Sequence, residues 1–543
     1  MSTSDEDNTR APIGRRRFLR DAGITGTAVA AATAFAGKAS AGPTLVRQPD
    51  VSGAAPADML HLQFGADASE TVVVSWSTPT QSKRPRLRLG SRHGGYGDVV
   101  QAQERAYTDA LTGETVYTYH AQVDGLRAGQ QYTYEAYAQG ADPVAGTFRS
   151  GPDRRAPFRF SSFGDQAIPA AVGSGALVGP HTPNAGYIVD AVEATDPLFH
   201  LLNGDLCYAN VSDNPVATWR SFFQNNMRSA RNRPWMPSAG NHENEMGNGS
   251  QGMLAYQTWF SLPDNHQQQD WQGNWYWFKV GSVAVVSLNN DDVCLQAGSY
   301  VKYRLDSNKD TARRQDYING YSQGAQKAWL ERTLRKIRAN SDIDWIVVCM
   351  HQVAMSSAHF NGADLGIRQQ WLPLFEQYGV DLVVAGHEHH YERTHAVHGF
   401  DATILGPTGT QLRTPTPQTS AIDVIDTTKG TVHMIIGGGG HSFPTSPSSF
   451  DMPHDGVLIY DVDTSAVVNG IGLRPSKITT EPGNWSAFRD LGNPYGFCTF
   501  DVDPGKRGGT TSITVQYFAA KAGSATYAPT DTFRLERPRC DHP

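Results

Sequence analysis

The stretch DLVVAGHEHHYER, residues 381–393, leaves an apolar run and at once presents three imidazoles. Asp381–Ala385 is the kind of short continuous apolar segment that lies buried in a sheet. Alternation along an extended chain puts His387 and His389 on one side and His390 on the other. On an ordinary surface these rings would be incidental, whereas a metal site gives two of them a common task. What the chain does at other strand ends decides between the two.

Four further apolar runs stop in the same manner. PFRFSSFGD ends in Asp165, and PLFHLLNGDLCY ends in Asp205 with Tyr208 three residues on. WMPSAGNHE ends in Asn241 and His242, and DWIVVCMH ends in His351. Helical segments separate these runs. The clearest spans 322–340, with Ser322 as N-cap and Ala325, Trp329, Leu330, Leu334 and Ile337 as its apolar stripe. Strand and helix in alternation predict an α/β domain with a largely parallel core, and ligands bind at the carboxyl edge of such a sheet. Carboxylate, imidazole, amide and phenol oxygen together suit hard or borderline cations. Seven such groups exceed what one tetrahedral ion uses. Two ions about 3.5–4 Å apart and sharing a carboxylate would use them all. Glycine stands just before the donor at 164, 204, 240 and 386, which predicts sharp turns there.

The remaining chain frames this core. With 543 residues, two or three domains are expected. A net charge of −7 and no basic stripe argue against nucleic acid as a partner. RRRFLR at 15–20, a weakly apolar stretch and the Ala-x-Ala-type site at 39–41 read as a twin-arginine export signal over 1–41. That stretch is too poor in Leu and Ile for a membrane anchor, and no other span is apolar enough to cross, so a soluble product outside the cytoplasm is expected. Residues 42–57 read as a linker, and 58–150 alternate in short β-branched and aromatic runs, predicting a β-sandwich. HAQVDGLRAGQQYTYEA within it resembles the late strands of a fibronectin type III module. A second linker, SGPDRRAP, leads into the α/β domain of 157–543, whose tail from 486 returns to strand-like runs. Residues 401–427, rich in Thr, Pro and Gly, read as a loop insertion. Five cysteines at irregular spacing form neither a disulfide framework nor a CxxC zinc pattern.

Taken in order, GD, GDLCY, GNHE, VCMH and GHEH resemble the five blocks of the metallophosphoesterases. GDxxY and GHEHHYER narrow the resemblance to the purple acid phosphatases, which also carry a fibronectin-like module ahead of the catalytic domain. The resemblance implies a calcineurin-like domain of two packed mixed sheets flanked by helices. It implies one metal on Asp165, Tyr208 and His389, a second on Asn241, His351 and His387, and Asp205 bridging them. His242 and His359 match positions that face the substrate phosphate, and GGGGH at 437–441 resembles a loop that frames the site. The implied cofactor is a dinuclear centre of Fe(III) with Fe, Zn or Mn, whose ions activate a water and hold the phosphate. The implied partner is a small phosphate ester. Phosphomonoester hydrolysis is the leading expectation. A phosphodiesterase or nucleotide phosphohydrolase on the same metals is the alternative, and a non-catalytic secreted binding protein stands third. The β-module is expected to be a structural spacer packed against the catalytic domain.

Overall fold

The computed structural model describes residues 53–91, 95–173, 178–245, 252–295, 321–358, 361–442, 455–462 and 476–541. The expected export signal and most of the 42–57 linker lie outside them, as does His359. From the N-terminal side, alternating runs fold into two four-stranded sheets. One joins Asp58–Phe64, Val72–Thr78, Thr115–Val123 and Gln103–Thr108, and the other joins Tyr96–Gln101, Arg86–Ser91, Gln131–Tyr137 and Val144–Arg149. In Gln131–Tyr137 every second residue is buried, the signature of a strand with one wet face.

Beyond residue 157 the chain builds two seven-stranded sheets. The first runs Trp235–Ser238, Phe199–Asn203, Phe158–Phe163, Tyr495–Asp503, Thr510–Ala520, Ala528–Pro538, Val424–Asp426. The second runs Tyr276–Val280, Val283–Ser287, Trp345–Cys349, Leu382–Ala385, Val432–Ile436, Tyr391–Thr394, Ser486–Asp490. Three neighbouring strands of the first and four of the second are parallel. Their fully buried runs, such as Val283–Ser287 and Trp345–Cys349, show why the sequence there reads as continuously apolar. Residues of both sheets share one hydrophobic core, including Phe160, Phe163, Leu201, Val285, Val347 and Val384.

The tail is no appendage. Tyr495–Asp503 lies in mid-sheet, antiparallel to Phe158–Phe163, and Phe500 stacks on Phe160 with centroids 4.6 Å apart. The segment 401–427 contributes one strand of a short ribbon, Val397–Asp401 with Thr414–Pro417, and the edge strand Val424–Asp426. The expected helix is present as Ala325–Arg338. Gly324 is its N-cap, and Ser322 Oγ accepts the Gln326 N–H from one turn ahead. All five cysteines are free thiols.

The sandwich and the α/β domain are joined through chemistry as well as sequence. Leu62 and Phe64 belong to the same core as Trp219, Phe223 and Phe278. Arg155, in the segment read as a linker, is fixed between Asp344 at 2.7 Å and Asp541 at 3.5 Å. Above all, the sandwich caps a helix of the α/β domain. The carbonyls at the end of Leu254–Trp259 have no partners within the helix. Arg105 Nη1 donates to Gln257 and Phe260, each at 3.0 Å. His120 Nε2 meets the Thr258 carbonyl at 3.0 Å and His61 Nε2 meets that of Trp259 at 2.8 Å. Cationic and N–H donors at a helix C-terminus also complement its dipole. Arg105→Ala is therefore expected to cost about 1.5–3 kcal/mol, the worth of charged hydrogen bonds to buried carbonyls. A lower denaturant midpoint would show it, and an unchanged midpoint would mean that packing alone holds the helix end.

Candidate metal centre

The parallel strands of both sheets point their carboxyl ends at one place. Phe158–Phe163 delivers Asp165, Phe199–Asn203 delivers Asp205 and Tyr208, and Trp235–Ser238 delivers Asn241 and His242. From the second sheet, Trp345–Cys349 delivers His351 and Leu382–Ala385 delivers His387 and His389. Two strands not recognised from sequence contribute as well. Val283–Ser287 leads to Asn290, and Val432–Ile436 leads to His441.

The backbone is bent to make this possible. Asp165, Asp205, Tyr208 and His387 all adopt left-handed conformations, with φ of 58°, 50°, 59° and 68°. Each costs roughly 1–3 kcal/mol for a residue bearing a Cβ. The turns expected at the glycines thus fall mostly on the donors themselves. Gly240 and Gly386 serve by leaving space: a Cβ on either would collide with a carboxylate oxygen, of Asp205 and Asp165 respectively.

The seven donors fall into two groups. Asp165 Oδ1, Tyr208 Oη and His389 Nε2 form a triangle with edges of 3.1, 3.3 and 3.2 Å. In the second group His351 Nε2 lies 3.0 Å from Asp205 Oδ2, 3.1 Å from Asn241 Oδ1 and 3.2 Å from His387 Nδ1. Atoms bound to one cation at about 2.0–2.2 Å stand about 3.0–3.5 Å from each other. Asp205, His351 and His387 can bring one donor atom each within 4.8 Å of one another.

The second group also tests whether a cation belongs here. His351 Nδ1 faces the Asn203 carbonyl at 2.7 Å and so carries the proton of the neutral ring. Its Nε2 lone pair is left facing carboxylate, amide oxygen and imidazole nitrogen, which is repulsive unless something positive sits between them. With no cation, burial pulls His351 down, but the Asp205 and Asp165 carboxylates outweigh it and push it up to about 10. A proton then takes the place the donors offer to a metal. Burial lowers His387 and brings His389 down to about 3, leaving neutral rings, the form that coordinates. Burial also raises Tyr208 well above its usual range, and the nearby carboxylates add to this. The donor set fits metal ions.

Around the donors, His242 Nδ1 meets Asn210 Oδ1 at 2.7 Å and its ring lies 4.5 Å from that of Tyr208. His390 is apart from the donors, with Nε2 3.2 Å from Glu392. Two supports escaped sequence reading. Asn290 Oδ1 accepts the His351 N–H at 2.7 Å, and the only hint was a strand ending in Asn-Asn-Asp-Asp. Glu243, inside GNHE, accepts the backbone N–H groups of Asp205, Leu206 and Gly240 at 2.8, 2.8 and 2.7 Å.

Comparison with known proteins agrees with this geometry. Residues 181–391 match the calcineurin-like phosphoesterase family, and 57–150 match the purple acid phosphatase N-terminal domain. An uncharacterized protein of Mycobacterium tuberculosis is 47% identical, covering 98% of both chains. The Fe(3+)-Zn(2+) purple acid phosphatase 12 of Arabidopsis thaliana is 23% identical over 70% of this chain and 72% of its own length. Among solved structures, a purple acid phosphatase from yellow lupin superposes with a TM-score of 0.59 at 19% identity, over 90% of this chain and 75% of that one.

Glu243 ties the loop of Asp205 to the loop of Asn241 through three buried donors. Glu243→Ala leaves all three without their acceptor, at about 1–3 kcal/mol each before relaxation. A clear fall in the melting temperature of the metal-free protein is expected. An unchanged value would show that the loops hold without it.

Proposed function

The chain belongs to the purple acid phosphatase-like metallophosphoesterases and is a phosphatase, and we propose that it hydrolyses phosphate monoesters outside the cytoplasm with two cations in this centre. The observation that carries the proposal is the pair of donor groups, each spaced for one ion, with Asp205 reaching the second group at 3.0 Å. Asp165, Tyr208 and His389 would hold one ion, Asn241, His351 and His387 the other, and Asp205 would be shared. Bound there, two cations supply an activated water and offset the charge of the phosphoryl group.

The chain's own residues do the rest. The Asn203 carbonyl fixes the His351 tautomer so that Nε2 faces the donors. Asp165 Oδ2 accepts the His387 N–H at 2.9 Å, which locks the two sheets' donor loops together. His242, anchored through Nδ1 by Asn210, presents its other edge toward Asp205, with Nε2 3.9 Å from Oδ2. That edge would donate to a phosphate oxygen. Proton donation to the leaving group by His359 remains part of the proposal on sequence grounds. An anionic phenolate at Tyr208 needs a strongly Lewis-acidic partner, because the pocket alone holds the phenol protonated. This favours Fe(III) in the first position, with Fe, Zn or Mn in the second.

The test combines turnover with colour. The metal-loaded protein is expected to cleave a monoester such as p-nitrophenyl phosphate faster than the corresponding diester, and the reverse order would make it a diesterase. The oxidised iron form should show a visible phenolate charge-transfer band that Tyr208→Phe removes. A band that survives Tyr208→Phe would take the tyrosine out of the site.

Export rests on Arg15 and Arg16 ahead of the weakly apolar stretch. Replacing both with Lys is expected to leave the protein in the cytoplasm. Cell fractionation reads the outcome, and normal export of the double variant would remove the twin-arginine pathway from the account.

A further inference from the structure

Two imidazoles lie against the ring of Tyr208. The His242 centroid is 4.5 Å from it, and His441 lies edge-on at 4.7 Å. His441 is also 4.7 Å from the ring of His389. It therefore borders two donors of the first group while coming from a different strand than either. Its position is fixed through the backbone. The His441 N–H donates to the Asp165 carbonyl at 2.7 Å, and the next residue, Ser442, donates from Oγ to the His389 carbonyl at 3.2 Å.

The four glycines ahead of it explain how the chain reaches this place. A Cβ at Gly437 would collide with the Glu388 carbonyl, at Gly439 with that of Gly164, and at Gly440 with that of Gln166. At Gly438 it would stand 2.7 Å from the Pro494 carbonyl. The run lies flush against three other segments, so it is a close-packed rail that ends in an imidazole. Tyr208 is buried at 2% exposure, whereas His441 is only partly buried.

We propose that His441 is a second phosphate-binding imidazole, which donates to a non-esterified oxygen of the substrate from beside Tyr208 and His389. The proposal rests on the reading of this centre as a phosphatase site. A phosphoryl group carries negative charge on oxygens that point away from the two donor groups as well as toward them. Donors already held in place stabilise that charge with little reorganisation. An imidazole held at both its own and the following residue, beside the first donor group, meets that requirement.

His441→Phe keeps an aromatic ring against Tyr208 and His389 but has no N–H, and His441→Gln keeps a donor without the ring. Three readouts separate substrate binding from packing and from metal ligation: inorganic-phosphate affinity by calorimetry on metal-loaded protein, KM and kcat for a monoester, and metal content. For His441→Phe the expected result is phosphate affinity weakened on the order of 10- to 100-fold, the cost of a lost hydrogen bond to a charged group. KM should rise with it, at full metal content, and His441→Gln should recover part of the loss. Wild-type phosphate affinity in His441→Phe would overturn the proposal, and so would loss of metal from both variants. If wild type binds phosphate but cleaves no ester, the proposed function fails while the phosphate arm still decides the role of His441.

Discussion

One lone pair organises this structure. His351 Nε2 points at a carboxylate, an amide oxygen and a second imidazole, all within 3.2 Å, while its other nitrogen is committed to the Asn203 carbonyl. Such a cluster holds together only around positive charge. Everything nearby serves to keep it from relaxing when that charge is absent. The Asn203 side chain reaches across to the Ala385 carbonyl at 3.2 Å and accepts from Cys349 Sγ at 3.3 Å, so one residue binds strands of both sheets under the site.

The cost of this arrangement is visible in the backbone. Four of the seven donors carry φ values that disfavour a side chain, and together they represent several kcal/mol of local strain. The compensation is in hydrogen bonds and packing around the loops. Glu243 holds two of them, Asp165 holds the His387 loop, and the glycines at 240 and 386 let carboxylates approach where a methyl group would block them. A site this strained is built for preorganisation: its donor atoms already stand at the spacings of a coordination shell.

The donors themselves were legible because each follows a short, continuously apolar run, and period and punctuation mark such strand ends locally. The second sheet was less so, since facing sheets share residues that look alike in sequence, and Val432–Ile436 ends in glycines that carry no chemical label. Glu243 sits in plain sight in GNHE, yet its work is to accept three N–H groups, which only the folded loops reveal. The glycines were read as turns, whereas Gly240 and Gly386 matter for close approach, a property of tertiary contact. Tyr495–Asp503 reads as a strand, but its place beside Phe158–Phe163, more than 300 residues earlier, is set by long-range pairing.

For the sandwich, the structure supplies particular contacts for a module whose packing was expected. Two Pro- and Gly-containing segments around a run of short strands read as linkers to a spacer packed against the catalytic domain. In the fold, Arg105, His61 and His120 close the end of the Leu254–Trp259 helix, which begins twelve residues beyond His242. Leu62 pairs with Pro234, the residue just before the strand that delivers Asn241. The module therefore contacts both the strand that leads into the GNHE loop and the next described helix after it. A loop whose Asn and His must hold their places to within tenths of an ångström gains from such contacts, because neither edge strand nor short helix is rigid alone. The N-terminal module is thus part of what shapes the metal centre, although none of its side chains is among the seven donors.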